Sequence, residues 1–175
     1  DWDGIAPLLR LAGKPITAED ARRFWLFSPW VRKLETGDAT AEAFGKGVVK
    51  ELALSVSPER FLEEFAEWDR GPLPGALELL DELRGKARLA CLTNNNGLHW
   101  AKLERAFAGR FERAYVSYRI GMVKPDLEVF HHVAKALGCP PGEILFFDDN
   151  PECTEAAGSL GFRSVRVRGV AETRN

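Results

Sequence analysis

Cysteine is scarce in this chain of 175 residues, and the three present, Cys91, Cys139 and Cys153, are odd in number and share no metal-ligand spacing. That argues against a disulfide framework or a thiolate metal site and makes reduced thiols the expectation. Long apolar runs are missing as well. None approaches the roughly 20 residues of a membrane span, and the first residues lack the basic-then-apolar layout of a secretion signal. The expectations are therefore no membrane partner and a cytoplasmic location. Charge of one sign is not in excess either: 24 Lys and Arg against 26 Asp and Glu leave a net charge of −2, which gives no general attraction to nucleic acid. Internal repeats and low-complexity stretches are absent, so repeat architectures drop out. What is present is the composition of an ordinary globular protein, 45% hydrophobic and 29% charged, at a length that suits one core domain with an insert.

From Lys14 to Arg70 the pattern is helical throughout. Thr17 can cap a helix carrying Ala21, Phe24, Trp25 and Phe27, and Ser28-Pro29 interrupts it. Further runs start near Thr40 and at Ser57-Pro58, the latter with Phe61, Leu62, Phe65 and Trp68 on one face. This region reads as a bundle of about four helices, and the aromatic cluster Phe24, Trp25, Phe27 and Trp30 reads mainly as its core. Gly71-Pro72-Leu73-Pro74-Gly75 is the sharpest compositional break, and the hinge is expected there. Beyond it helices and strands alternate, the signature of a parallel sheet. The strands are expected at 88–92, 114–117, 144–147 and 163–167, and the helices between them at 76–83, 98–108, 126–137 and 154–160. The fold class is thus α/β, a Rossmann-like parallel sheet core with an inserted helical-bundle cap. The core is assigned to residues 1–12 and 72–175 and the cap to 13–71.

Three stretches carry candidate chemistry. In Ile144-Leu145-Phe146-Phe147-Asp148-Asp149 an apolar strand, expected to be buried and interior, ends in two adjacent carboxylates. In open α/β sheets the crevice beyond the carboxyl ends of the strands is where ligands bind. Adjacent carboxylates repel unless solvated or bridged by a cation, and Mg²⁺ prefers such oxygens; a solvated Asp-Asp turn is the other reading. Thr93-Asn94 closes another strand and can donate to an anion, although polar residues commonly end strands. Lys124-Pro125-Asp126 sets a cation before a helix, where it can neutralise a phosphate, or else stand as a solvated surface lysine. In order they lie 31 and then 24 residues apart. Converging on one crevice, they would bind a phosphoryl group with its metal.

With these motifs in this order the sequence resembles the haloacid dehalogenase-like hydrolases, in particular their capped phosphatases, such as sugar-phosphate phosphatases and epoxide-hydrolase N-terminal phosphatases. Leu92-Thr93-Asn94 is similar to the second motif of that family, Lys124-Pro125-Asp126 to the third and Phe146-Phe147-Asp148-Asp149-Asn150 to the fourth. The resemblance implies a Mg²⁺-dependent phosphatase of small phosphorylated metabolites that works through an aspartyl-phosphate, as a monomer or homodimer. In that reading Thr93, Asn94 and Lys124 hold phosphate, and Asp148 and Asp149 hold the metal. The first motif of the family is an apolar strand ending in Asp-x-Asp-Gly. Asp1-Trp2-Asp3-Gly4 matches its letters, but no apolar strand precedes it. The nucleophile is therefore expected upstream, on a strand between those at 88–92 and 144–147, with Asp1 and Asp3 as the weaker assignment. Cys153 stands where relatives usually carry Asn or Asp. A dehalogenase is a weaker reading, because that chemistry does not use a metal, and a non-catalytic relative serving as a binding or scaffold protein is the alternative from a different class.

Overall fold

The computed structural model describes residues 6–12 and 16–174. Two regions follow one another. The first is helical: α1 (Ala6–Leu11), α2 (Ala18–Phe27), α3 (Pro29–Thr36), α4 (Ala41–Glu51) and α5 (Pro58–Ala66). Their starts are written in the sequence. Thr17 and Asp20 form a capping box, and the hydroxyls of Ser28, Thr40 and Ser57 each accept from a backbone N–H in the following turn, so the first orphan donors of each helix are satisfied. Ser28 at once ends α2 and caps α3, and Gly37 (φ 80°) closes α3 in the left-handed conformation.

Phe44, Phe61 and Phe65 are fully buried in the bundle core, with Val31, Leu34, Val48 and Leu54 around them. Trp25 joins the aromatic cluster, its ring 5.8 Å from Phe65 and 5.7 Å from Trp68. Of the four aromatics expected in this core, Phe27 is the exception: it sits at the end of α2 and is 77% exposed. The region 1–12, assigned to the α/β core by sequence, is corrected in its described part. Leu8 is fully buried in the bundle core, and Ser55 donates its backbone N–H to Leu11, so α1 is a further layer of the bundle.

The second region alternates: α6 (Ala76–Leu83), β1 (Ala90–Thr93), α7 (Gly97–Ala106), β2 (Arg113–Val116), α8 (Ser117–Ile120), α9 (Leu127–Leu137), β3 (Leu145–Asp148), α10 (Pro151–Ser159), β4 (Arg163–Arg166) and α11 (Val170–Arg174). Ser117, expected within a strand, instead opens α8, and α11 has no counterpart in the expected elements. β1 pairs with β2 and β3 with β4, both in parallel, each pair joined by a crossover helix as parallel pairing demands. The described residues form these two pairs and no ladder between them. One edge of β1 and one edge of β3 are therefore without a described partner.

The expectation that β3 is buried on both faces is corrected accordingly. Leu145 is 49% and Phe147 39% exposed, because among the described residues β3 has one neighbouring strand and the face carrying these side chains has no cover. Phe146 points the other way, into a small core with Phe130, Val129, Ala157 and Phe162.

Candidate active site

The C-terminal end of β1 and that of β3 meet at one lysine. Lys124 precedes α9, and its ammonium donates to Asp148 Oδ2 at 2.6 Å. Both side chains are nearly withdrawn from solvent, 12% and 7% exposed. The ammonium also lies 5.8 Å from the centre of the Phe146 ring, a position favoured by the ring quadrupole. Asp148 is fixed from its other oxygen, since Oδ1 accepts from the Asn150 backbone N–H at 2.9 Å.

Asn94 is the clamp. Its side-chain amide donates to the Lys124 carbonyl (2.9 Å), and its oxygen accepts from the Lys124 N–H (2.8 Å). This reciprocal pair pins the loop, in which Lys124-Pro125 is cis, to the end of β1. The side chain of Asn94 is thereby occupied in placing Lys124. Thr93, half-buried at the strand end, has only a long contact of 3.4 Å from its hydroxyl to the neighbouring Asn94 carbonyl, so that hydroxyl remains available to a ligand. Asp149 is exposed, and its backbone carbonyl accepts from Arg166; of the two carboxylates, Asp148 is the one turned to Lys124. Asp1 and Asp3 lie outside the described residues.

Lys124 is the common electrostatic neighbour of groups from four elements. Besides Asp148 they are Cys91 on β1, Cys153 on α10 and Glu35 on α3. Burial pushes the Cys91 thiol up to about 11, against the pull of Lys124. Burial, with Asp148 second, pushes Cys153 up to about 12. Neither is a thiolate at neutral pH, so Cys153 acts as a small packed side chain beside the acidic loop. Glu35 is carried up to about 7 by loss of solvent, opposed by the charges of Lys124 and Arg32.

Three residues of this neighbourhood escape a reading of the sequence. Ser117 is fully buried; its hydroxyl accepts from the Asn95 N–H (2.9 Å) and donates to the Asn95 carbonyl (3.0 Å), holding the loop after β1 against the end of β2. Arg32 bonds the carboxylate of Asp126. Asp126 is the N-cap residue of α9 and could have capped it, yet its side chain makes no capping bond and is spent on the helical cap instead. Glu35 lies three residues beyond Arg32. The only sequence signal was the polar face of α3, which does not reveal what that face meets. His99 donates from Nε2 to the Phe65 carbonyl (2.6 Å) and its ring lies tilted 4.4 Å from that of Phe65, tying α7 to α5.

As donors for a divalent ion, the hard oxygens of Asp148 and Asp149 are of the kind Mg²⁺ takes, which is commonly one or two carboxylates completed by substrate phosphate and water. Among the described residues no group of three potential metal ligands converges, and the fit therefore depends on oxygens a substrate brings.

Comparison with known proteins gives these motifs a context. A model of the haloacid dehalogenase-like hydrolases matches residues 9–161. The phosphatase MT3486 of Mycobacterium tuberculosis is 29% identical over 177 residues, 95% of this chain and 79% of its own length. The D-ribitol-5-phosphate phosphatase of Bacteroides thetaiotaomicron is 28% identical over 155 residues, 82% of this chain and 73% of its own. Among solved structures, a haloacid dehalogenase-family enzyme of the same bacterium, determined as a magnesium complex, superposes with a TM-score of 0.76 at 23% identity, over 94% of this chain and 84% of that one.

Proposed function

The chain belongs to the haloacid dehalogenase-like hydrolases, and from that premise we propose that it is a phosphatase acting on phosphate monoesters of small metabolites with Mg²⁺ as cofactor. The observation that carries this reading is the lysine at the strand ends, nearly withdrawn from solvent, clamped through its backbone by Asn94 and joined to Asp148. Relatives named as phosphatases support the choice of phosphorus over other centres.

In this mechanism Lys124 and the Thr93 hydroxyl bind the non-bridging oxygens of the phosphoryl group and neutralise the charge that spreads over them in a loose transition state. Asn94 and Ser117 act through position, holding the two loops on which those groups sit. Asp148 and Asp149 would hold Mg²⁺, whose role is to neutralise phosphate oxygens and orient the phosphoryl group for in-line attack. A carboxylate on a strand between β1 and β3 is the proposed nucleophile. Its oxygen bonds to phosphorus as the ester P–O bond breaks and the leaving alkoxide gains a proton; water then attacks phosphorus, releasing inorganic phosphate and restoring the carboxylate. The edges of β1 and β3 that have no partner among the described residues are what such a strand would pair with. The helical bundle, joined through Arg32 to Asp126 beside Lys124, would limit access of bulk water.

The test is phosphate release from p-nitrophenyl phosphate by the full-length protein with and without Mg²⁺. Turnover that requires the metal, and falls by roughly a hundredfold or more in Lys124→Ala, is the expected outcome. Metal-independent turnover, none at all, or full activity in Asp148→Asn would each overturn the proposal, and complete inactivity would leave the binding-protein alternative standing.

A further inference from the structure

The loop that carries Lys124 is held from three directions. Asn94 takes both backbone groups of Lys124 and ties the loop to the end of β1. The Lys124 ammonium reaches Asp148 at the end of β3. The third hold comes from the helical bundle: Arg32 on α3 bonds the carboxylate of Asp126, two residues past Lys124. Around that contact the two regions lie close. The helix α3 packs against α8, which leads into the loop, and a Cβ on Gly37 would stand 2.5 Å from the Tyr118 carbonyl oxygen.

Local energetics do not favour this use of Asp126. It is the N-cap residue of α9, and a carboxylate there ordinarily accepts from the first turn of its own helix. Its side chain makes no capping bond and goes to Arg32 instead. What replaces the cap is an ion pair whose side chains are 58% and 41% exposed, and exposed pairs contribute little to stability. Stability therefore does not account for the contact, but geometry does. Asn94 fixes the loop at Lys124, and a segment held by its backbone at one residue can still pivot about it. A second anchor two residues on removes that freedom. Because this anchor stands on the bundle, the placement of Lys124 depends on where the bundle sits.

Resting on the phosphatase reading above, we infer that Arg32 is a positioning residue for the reaction: through Asp126 it couples docking of the helical bundle to the placement of Lys124 at the strand ends. Arg32 acts on the lysine and not on the leaving group of the substrate. Loss of the contact leaves the charges of the site in place but degrades their aim, and a misplacement of about 1 Å at such a group can cost up to about a hundredfold in rate.

The experiment measures kcat and KM of the full-length protein with Mg²⁺ on p-nitrophenyl phosphate and on glycerol 2-phosphate, two unlike leaving groups. Arg32→Ala should lower kcat about tenfold with a smaller change in KM, the mark of an interaction felt in the transition state. The loss should be alike for both substrates. Asp126→Ala should match it, and the double variant should lose no more than either single one, because the two side chains act as one unit. Arg32→Lys keeps the charge and should retain most of kcat. Exchanging the charges, Arg32→Asp with Asp126→Arg, should recover part of what Arg32→Asp alone loses. Should Arg32→Ala not fold, Asp126→Asn carries the test, with a several-fold fall in kcat expected. Unchanged kcat in that variant or in Arg32→Ala, additive losses in the double variant, or a loss that differs between the two substrates overturns the assignment of Arg32 and leaves the phosphatase reading intact. A wild type that hydrolyses neither ester overturns both.

Discussion

The helical bundle and the α/β region differ in how far each completes itself. The bundle closes around Phe44, Phe61 and Phe65, all fully buried and in mutual ring contact at 5.1 to 5.8 Å. The α/β region has a smaller core around Phe130 and leaves Leu145, Phe147 and Val165 between 39% and 49% exposed on its strands. The reason lies in where each element finds its hydrogen bonds. A helix satisfies its backbone within itself and needs neighbours only for one apolar stripe. A strand needs a neighbour on each edge, and among the described residues β1 and β3 each have one. The candidate site falls on this second kind of structure, at strand ends whose geometry is held by side chains: Asn94 on Lys124, Lys124 on Asp148, Ser117 on Asn95.

The sharpest way to break the contrast is to open the bundle. Phe65→Ala removes a ring that contacts Trp25, Phe44, Phe61, Trp68 and His99, and should cost about 3–5 kcal/mol in denaturant unfolding. A loss below about 1 kcal/mol would mean that the bundle is less self-sufficient than its packing indicates. Next comes the ion pair that ties the site together. Lys124→Ala leaves the Asp148 carboxylate nearly buried without its cation and should destabilise by about 3 kcal/mol. Lys124→Ala combined with Asp148→Asn should recover part of that, and a double-mutant cycle with no coupling would show the pair to be incidental.

A smaller effect is expected at the seam between the regions. Gly37→Ala places a methyl group 2.5 Å from the Tyr118 carbonyl at a φ of +80°, which should cost about 1–2 kcal/mol from the backbone conformation alone and loosen α3 from α8. Hydrogen exchange in α8 is the readout: faster exchange in Gly37→Ala is expected, and unchanged protection would separate the two helices. The mildest effect is a slope with pH. Glu35 is held up to about 7 from an ordinary value of 4.5, so the folded protein binds that proton more tightly than the unfolded chain. The stability it contributes is complete below about 4.5 and is lost as pH rises through about 7. Urea midpoints of wild type should therefore decline across that window relative to Glu35→Gln; parallel curves would contradict it.

Most helices were legible because the signals are local. Thr17, Ser28, Thr40 and Ser57 cap where their side chains imply, and Gly37 and Gly138 end helices in the left-handed conformation. The three motifs were also legible, two at strand ends and one before a helix, in the observed order. What misled was the apolar run at Leu145 to Phe147, whose composition speaks of burial on both faces while the described neighbours cover one. Leu8 was placed with the wrong region because an apolar residue carries no label for the core it joins. The partnership of Arg32 with Asp126 spans 94 residues, and no local pattern encodes a contact between two solvent-compatible charges so far apart.

The sequence by itself determined the class of the protein. Its alternation of elements and the residue types at Thr93, Lys124 and Asp148 follow from periodicity, turn chemistry and side-chain chemistry, which act over a few residues. Tertiary structure alone decided the roles. It gave Asn94 to the Lys124 backbone, turned Asp148 to the lysine, and joined Arg32, on a helix far away in sequence, to Asp126. These depend on distances between elements, and distance in space is set by how the apolar faces pack together, a property of the whole chain that no single stretch contains.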